Sequence, residues 1–119
     1  RRNYIISELE KIGINFHYFE MGEFSEINEL YNCLDLYIVS SRYEGGPQSV
    51  LECGITRTPI ISTRVGIADE ILSSESLYSI NNFENPKPNS QTAYENSAKY
   101  TIPQGFVGYL KLFKGIYEN

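Results

Sequence analysis

The sequence predicts an α/β fold: a Rossmann-like parallel sheet flanked by helices. Three observations carry that expectation. Short apolar runs recur at even intervals, the segments between them show helical spacing, and the two most apolar runs lack the alternation of a sheet with one wet face. The runs are Ile14–Phe19, Leu36–Ser40, Pro59–Ser62 and Leu77–Ile80, whose first residues lie 22, 23 and 18 positions apart. Each interval has room for a strand, a turn, a short helix and a return.

Taken in order, the chain opens with a helix that puts Ile5, Leu9 and Ile12 on one face and stops at Gly13, a residue suited to a left-handed helix end. Ile14–Phe19 is the first expected strand, with His17 as an inert strand histidine. Ile27, Leu30, Tyr31 and Leu34 then fall on one helical stripe, with Ser25 as N-cap and Glu26 and Glu29 near the positive end. After the Leu36 strand a third helix is expected from Pro47, whose fixed φ suits a first helical position, to about Cys53. A short fourth helix over about Ile67–Leu72 follows the Pro59 strand.

Asn81–Asn89 reads as a loop on composition, followed, after Ser90 as cap, by a weak helix to about Lys99. A last helix over 103–118 gathers Phe106, Tyr109, Leu110, Phe113 and Tyr117 on one face. Its three glycines each cost about 1 kcal/mol relative to alanine, so this helix needs a surface for its aromatic stripe. Open parallel sheets are built from strand-first units, yet this chain opens inside a helix. That predicts a single, truncated domain over 1–119 whose first strands belong to a longer protein.

A chain of 119 residues, 41% apolar and 21% charged, is long enough for one core and too apolar for wholesale disorder. It has no run of 18 apolar residues and no leader-like start, so a membrane span and a secretory signal are not expected. Ten Lys and Arg against 15 Asp and Glu give a net charge of −5, which disfavours nucleic acid as a partner. Cys33 and Cys53 are the only cysteines and His17 the only histidine, too few for a closed zinc site. Both cysteines are expected to be reduced packing residues, which suggests a cytoplasmic protein.

Chemistry is expected beyond the carboxyl ends of the strands. The richest loop there is Ser40–Pro47, which leads from a buried strand into the Pro47 helix. Gly45 and Gly46 allow close approach to the backbone, and the free N–H groups of Gln48, Ser49 and Val50 form a helix end equivalent to roughly half a positive charge. Glu44 precedes the glycines and Glu52 lies about 7–8 Å along the helix. Such carboxylates can accept hydrogen bonds from sugar and ribose hydroxyls beside a diphosphate. On spacing alone they can equally be solvated surface charges.

Ser41–Leu72 resembles the donor-binding core of retaining glycosyltransferases of the GT-B fold (family 4-like, glycosyl transferases group 1). The resemblance rests on Glu44-Gly45-Gly46-Pro47, on Glu52, on Thr58-Pro59-Ile60-Ile61, and on Val65-Gly66 followed by Glu70. It extends over roughly Ile14–Ile80 and implies a partial C-terminal GT-B domain. By resemblance Glu44 would contact the transferred sugar and act in catalysis. Glu52 would hold the ribose, and Gly45, Gly46, Pro47, Gln48, Ser49 and Val50 would surround sugar and diphosphate. Phe19–Gly22 would lie against the base.

The resemblance also implies that a hexose-like sugar passes from a nucleoside diphosphate sugar to an acceptor hydroxyl with retained configuration. No metal and no cofactor are implied, since the nucleotide sugar is itself the substrate. An N-terminal, acceptor-binding domain would complete the intact protein, placed in the cytoplasm or peripherally at the inner face of a membrane. Departures from the family pattern are Glu20 before the base loop, Ile67 for a glycine, and Arg64 where an acid is common. Arg64 is most simply an exposed, solvated residue, with pairing to Glu70 or a place facing the donor as alternatives; Arg42 and Tyr43 lie on the loop facing the cleft, where acceptor contact is the lesser reading. The Arg and Lys that hold the donor diphosphate in the family have no counterpart before Glu44, since Arg1 and Arg2 are adjacent. This chain alone is therefore expected to be inactive. The alternative is a non-catalytic Rossmann-like binding or interaction module docking through the terminal aromatic stripe. An epimerase or phosphorylase on the same fold would require a cofactor or phosphate lysine that is not evident.

Overall fold

Parallel pairing of three strands organises the chain, which the computed structural model describes over residues 2–19 and 24–118, the side chains of Phe24 and Ser25 excepted. Strands β1 (Tyr37–Val39), β2 (Ile60–Thr63) and β3 (Leu77–Tyr78) lie side by side in that order. Tyr37 pairs with Ile60 and Val39 with Ser62 on one side of β2, and Ser62 pairs with Leu77 on the other. The central strand is buried at all four positions, which is why its sequence reads apolar without alternation. Because the strands run parallel, their carboxyl ends open on one edge.

Helix α1 (Arg2–Lys11) and helix α2 (Phe24–Cys33) precede β1. Helix α3 (Gln48–Thr56) connects β1 to β2, and the short α4 (Ala68–Ile71) with a tight turn at Ser74–Ser76 connects β2 to β3. Helix α5 (Ser90–Ser97) returns to pack on α3 and α4, and α6 (Gln104–Tyr117) closes the chain. Val50, Cys53, Ile60, Ala68 and Ile71 form the dry centre of the core, with Tyr31, Val39, Val65, Leu72 and Ala93 around it. Burying one such large aliphatic side chain stabilises the fold by about 1.5–3 kcal/mol.

Local chemistry sets the ends of the elements. Arg57 ends α3 in the left-handed region at φ 58°. The Thr58 N–H donates to the Cys53 carbonyl at 2.9 Å and the Arg57 N–H to that of Gly54 at 3.2 Å, which satisfies two terminal acceptors. The Arg57 guanidinium lies 3.8 Å from the Tyr94 ring centroid, tying this end to α5. The Thr58 hydroxyl donates to the Tyr31 carbonyl at 2.9 Å and so fastens α2 to the same turn.

Several expectations need correction. Ile14–Phe19 forms no strand and is exposed throughout. A strand exists by pairing, and among the described residues nothing pairs with this segment on the outer side of β1. His17 is therefore an exposed residue stacked near Phe19, with ring centroids 4.5 Å apart. Ser25 lies inside α2, which starts at Phe24. Helix α3 starts one residue after Pro47 and runs on to Thr56. Asn89, not Ser90, caps α5: its side chain accepts from the Thr92 N–H at 3.0 Å.

Cys53 is a buried packing residue as expected, but Cys33 is exposed. The apolar faces of α1 and α6, including Ile5 and Ile12 and the Phe106–Tyr117 stripe, are exposed. Among the described residues no helix is long and apolar enough to cross a membrane.

The packing of α3 leads to three measurable outcomes. A Cβ at Gly54 would stand 2.0 Å from the Ser97 hydroxyl and 2.9 Å from the Ala93 carbonyl oxygen. Gly54→Ala should thus destabilise the protein by about 1–3 kcal/mol, read as a lower Tm, because backbone cannot move aside as a side-chain tip can. Burial pushes the Cys53 thiol up to about 12 from 9.0. Folded protein at pH 8 should be alkylated by iodoacetamide at Cys33 alone, with Cys53 reacting only after denaturation. A thiol that ionises later when folded also makes the fold lose stability as pH rises from about 9 towards 12.

Candidate functional site

The strand ends build the site. Beyond β1 the chain enters the Ser40–Pro47 loop, and three bonds fix where that loop begins and how it turns. The Thr63 hydroxyl donates to the Ser41 carbonyl at 2.7 Å. The Tyr78 hydroxyl reaches from β3 to the Val39 carbonyl at 2.9 Å. The Ser41 hydroxyl donates to a Glu44 carboxylate oxygen, turning the loop back on itself. Glu44 is thereby presented, exposed, at the carboxyl edge of the sheet.

Gly45 and Gly46 stand in open space on their Cβ sides. Their peptide is approached from elsewhere: a Cβ on Gly66 would lie 2.9 Å from the Gly45 carbonyl carbon and oxygen and from the Gly46 nitrogen. Gly66 also has φ +49°, a conformation that side chains disfavour. The loop after β2 can therefore lie against the loop after β1 only with glycine at 66. Val65-Gly66, one of the motifs carrying the family resemblance, is thus explained by two separate steric demands.

At the start of α3, Pro47 is buried and serves as N-cap, with ψ 111° and no side-chain cap. Its carbonyl accepts the Val50 N–H at 3.0 Å. The expected trio of free amides is thus a pair. Val50 is buried and its N–H is used within the first turn, whereas Gln48 and Ser49 have no backbone acceptor among the described residues. Pro47 can act only by aiming the helix, because its ring lies beneath the surface.

Glu44 and Glu52 do not share one hollow. Glu44 lines an open hollow of about 410 Å³ with Arg42, Tyr43, Arg64 and Gly66. Glu52 lines a mostly apolar groove between α2 and α3 with Ile27, Tyr31, Ile55 and Tyr100. The reason is helical: after Gln48 the chain advances by about 100° per residue, which turns Glu52 onto the flank facing α2. There the Tyr31 hydroxyl donates to Glu52 Oε2 at 2.8 Å. Burial, with the Glu52 carboxylate adding to it, pushes the Tyr31 phenol up. Tyr31 is accordingly a permanent donor that holds one Glu52 oxygen and leaves the other available.

Sequence reasoning placed Tyr31 only on an apolar stripe. The signal it missed is that a tyrosine on such a stripe carries a hydroxyl needing a partner once buried. Arg64 is exposed, as its plainer reading has it, and pairs with Asp69 rather than with Glu70. Glu70 instead accepts from the Tyr100 hydroxyl at 2.9 Å, a bond that pushes the Tyr100 phenol up. Arg2 lies 4.6 Å from the Tyr18 ring centroid. Of the base loop only Phe19 lies among the described residues, where it is exposed; Glu20 and the rest of the loop to Gly22 lie outside them, as does Arg1. No group of three or more His, Cys, Asp or Glu among the described residues could hold a metal ion.

Comparison with known proteins agrees with this architecture. The family model described as Glycosyl transferases group 1 matches residues 1–99. A curated relative, the lipopolysaccharide core biosynthesis mannosyltransferase LpsB of Rhizobium meliloti (strain 1021), is 32% identical over 66 residues. That match covers 56% of this chain and 19% of the relative, so the stretch compared is a small part of the relative's length. With a three-stranded parallel sheet, flanking helices and a family match across most of its length, the chain belongs to the glycosyl transferases group 1 family.

Proposed function

We propose that this chain is the donor-binding part of a retaining GT-B glycosyltransferase, which moves a hexose-like sugar from a nucleoside diphosphate to an acceptor hydroxyl. Likeness to a mannosyltransferase makes mannose a sugar to test first. The observation carrying this reading is the meeting of two loops at one helix start. Gly66 packs on the Gly45–Gly46 peptide, and the Gln48 and Ser49 amides stand beside it without backbone acceptors. A diphosphate fits that tip, since the helix end supplies positive potential and two donors.

In this reading the donor straddles the tip. Its ribose lies on the Glu52 side, where the oxygen not bonded to Tyr31 accepts from a ribose hydroxyl. Its sugar lies on the Glu44 side, where the carboxylate positions sugar hydroxyls and stabilises positive charge developing at the anomeric carbon. The bond from that carbon to the diphosphate oxygen breaks with its electron pair staying on the diphosphate. The acceptor oxygen bonds to the same face, and its proton passes to the departing phosphate oxygen. A further domain completes the acceptor site across the cleft from this one, and the reaction takes place in the cytoplasm or at the inner face of a membrane.

Four outcomes test the proposal in the protein carrying this chain. Thermal scans with UDP-, GDP- and ADP-sugars should show a raised Tm with one nucleotide class; no shift with any of them would remove the donor site. Glu52→Ala should weaken nucleoside diphosphate binding by about 1.5–3 kcal/mol, the size of a hydrogen bond to a charged group. Glu44→Ala should instead lower kcat more than it raises the donor KM. Gly66→Ala should disturb both, because the Gly45–Gly46 peptide must shift by some tenths of an ångström to admit the methyl group.

A further inference from the structure

The hollow beside Glu44 adjoins a second, of about 430 Å³, lined also by Ser41, Thr63, Tyr78 and Asn81. Arg42, Tyr43, Arg64 and Val65 line both. Two arginines thus border a polar recess at the strand ends of a chain whose acids outnumber its bases 15 to 10. Acids are plentiful, yet Arg42 has no ion pair among the described residues. Arg64 gives one nitrogen to Asp69 and retains further N–H donors. Between them Tyr43 is 92% exposed, an aromatic face held free of any core. Guanidinium groups left open in this way suit a planar or tetrahedral oxyanion, which takes two N–H bonds at once from such a fork.

We propose that this second hollow receives the acceptor, and that the acceptor is an anionic saccharide whose phosphate or carboxylate is held by Arg42 and Arg64. The inference rests on the sugar-transfer reading of Glu44. The donor diphosphate occupies different ground, because Gln48 and Ser49 line neither arginine hollow. Tyr43 offers its ring to the apolar face of the acceptor sugar, and Glu44 lies in the adjoining hollow where that sugar's hydroxyl would meet the donor.

The test is calorimetric titration of the protein with inorganic phosphate and, separately, with acetate, first alone and then with saturating UDP, GDP or ADP, whichever binds. At least one anion should bind both without and with the nucleotide, and the stronger one identifies the group carried by the acceptor. Arg42→Gln should weaken that binding about 10-fold or more, the loss of a charge-assisted hydrogen bond, and should weaken it more than it weakens nucleotide binding. The proposal is overturned if neither anion binds, if binding survives in Arg42→Gln, or if saturating nucleotide abolishes it, since the arginines would then serve the donor. Failure of every nucleotide to bind while phosphate still binds at Arg42 would overturn the sugar-transfer reading and the acceptor assignment with it, leaving a plain anion site.

Discussion

A backbone contact without side chains holds the candidate site together. The Gly66 Cα meets the Gly45–Gly46 peptide closely enough to leave no room for a methyl group. This contact joins the loop following β1 to the loop following β2, and it sets where α3 begins relative to the sheet edge. Hydrogen bonds from Thr63 to Ser41 and from Tyr78 to Val39 reinforce it from the two neighbouring strands. Strand β2 thus anchors the loop itself, and β3 anchors the end of β1 from which the loop departs. That loop carries the glutamate, the glycines and the helix start together.

The sheet that presents this loop is small, and its stability depends on helices packed on it. β2 is sealed on both faces, while β1 keeps Ile38 exposed and β3 is half-buried. The tightest helix contact lies away from the strand ends, where α3 and α5 meet at Gly54 and Ser97. The same contact leaves the Ser97 hydroxyl buried without a hydrogen-bond partner, an unusual cost for a polar atom in a core. Helix α3 thus has two close backbone neighbours, Gly66 near its start and α5 along its length. A helix held in this way can keep its first amides aimed at one place, which an anion site at a helix tip requires.

Charge is distributed unevenly around that tip. Glu44 is tied to Ser41, Glu52 to Tyr31, Asp69 to Arg64 and Glu70 to Tyr100, so four acids near the site each have a partner. Only Asp69 among them meets a cation; the groups left without an acceptor among the described residues are donors, the Arg42 guanidinium and the neutral N–H groups of Gln48 and Ser49 at the positive end of α3. An acidic protein whose strand-end edge keeps open N–H donors is arranged to accept anions at those donors, while its surplus of acids repels them elsewhere.

Much of this was legible in the residue order. The apolar run Pro59–Ser62 could belong only to a strand covered on both sides, and the stripe Ile27, Tyr31, Leu34 to a helix against a core, because period and burial are encoded locally. The Glu44-Gly45-Gly46-Pro47 turn announced a loop passing into a helix for the same reason. Ile14–Phe19 looked as strand-like as any other segment, yet pairing is a property of neighbours, and none among the described residues lies beside it. Sequence spacing placed Glu44 and Glu52 at one site, but the turn of α3 and the hydroxyl of Tyr31 decided that they look into different hollows. Distances across the fold likewise chose Asp69 over Glu70 for Arg64 and placed Gly66 on the Gly45–Gly46 peptide. Composition and periodicity determined which segments could become strands and helices. Only the folded chain decided which backbone and side-chain groups meet, because those encounters join residues that are far apart in sequence.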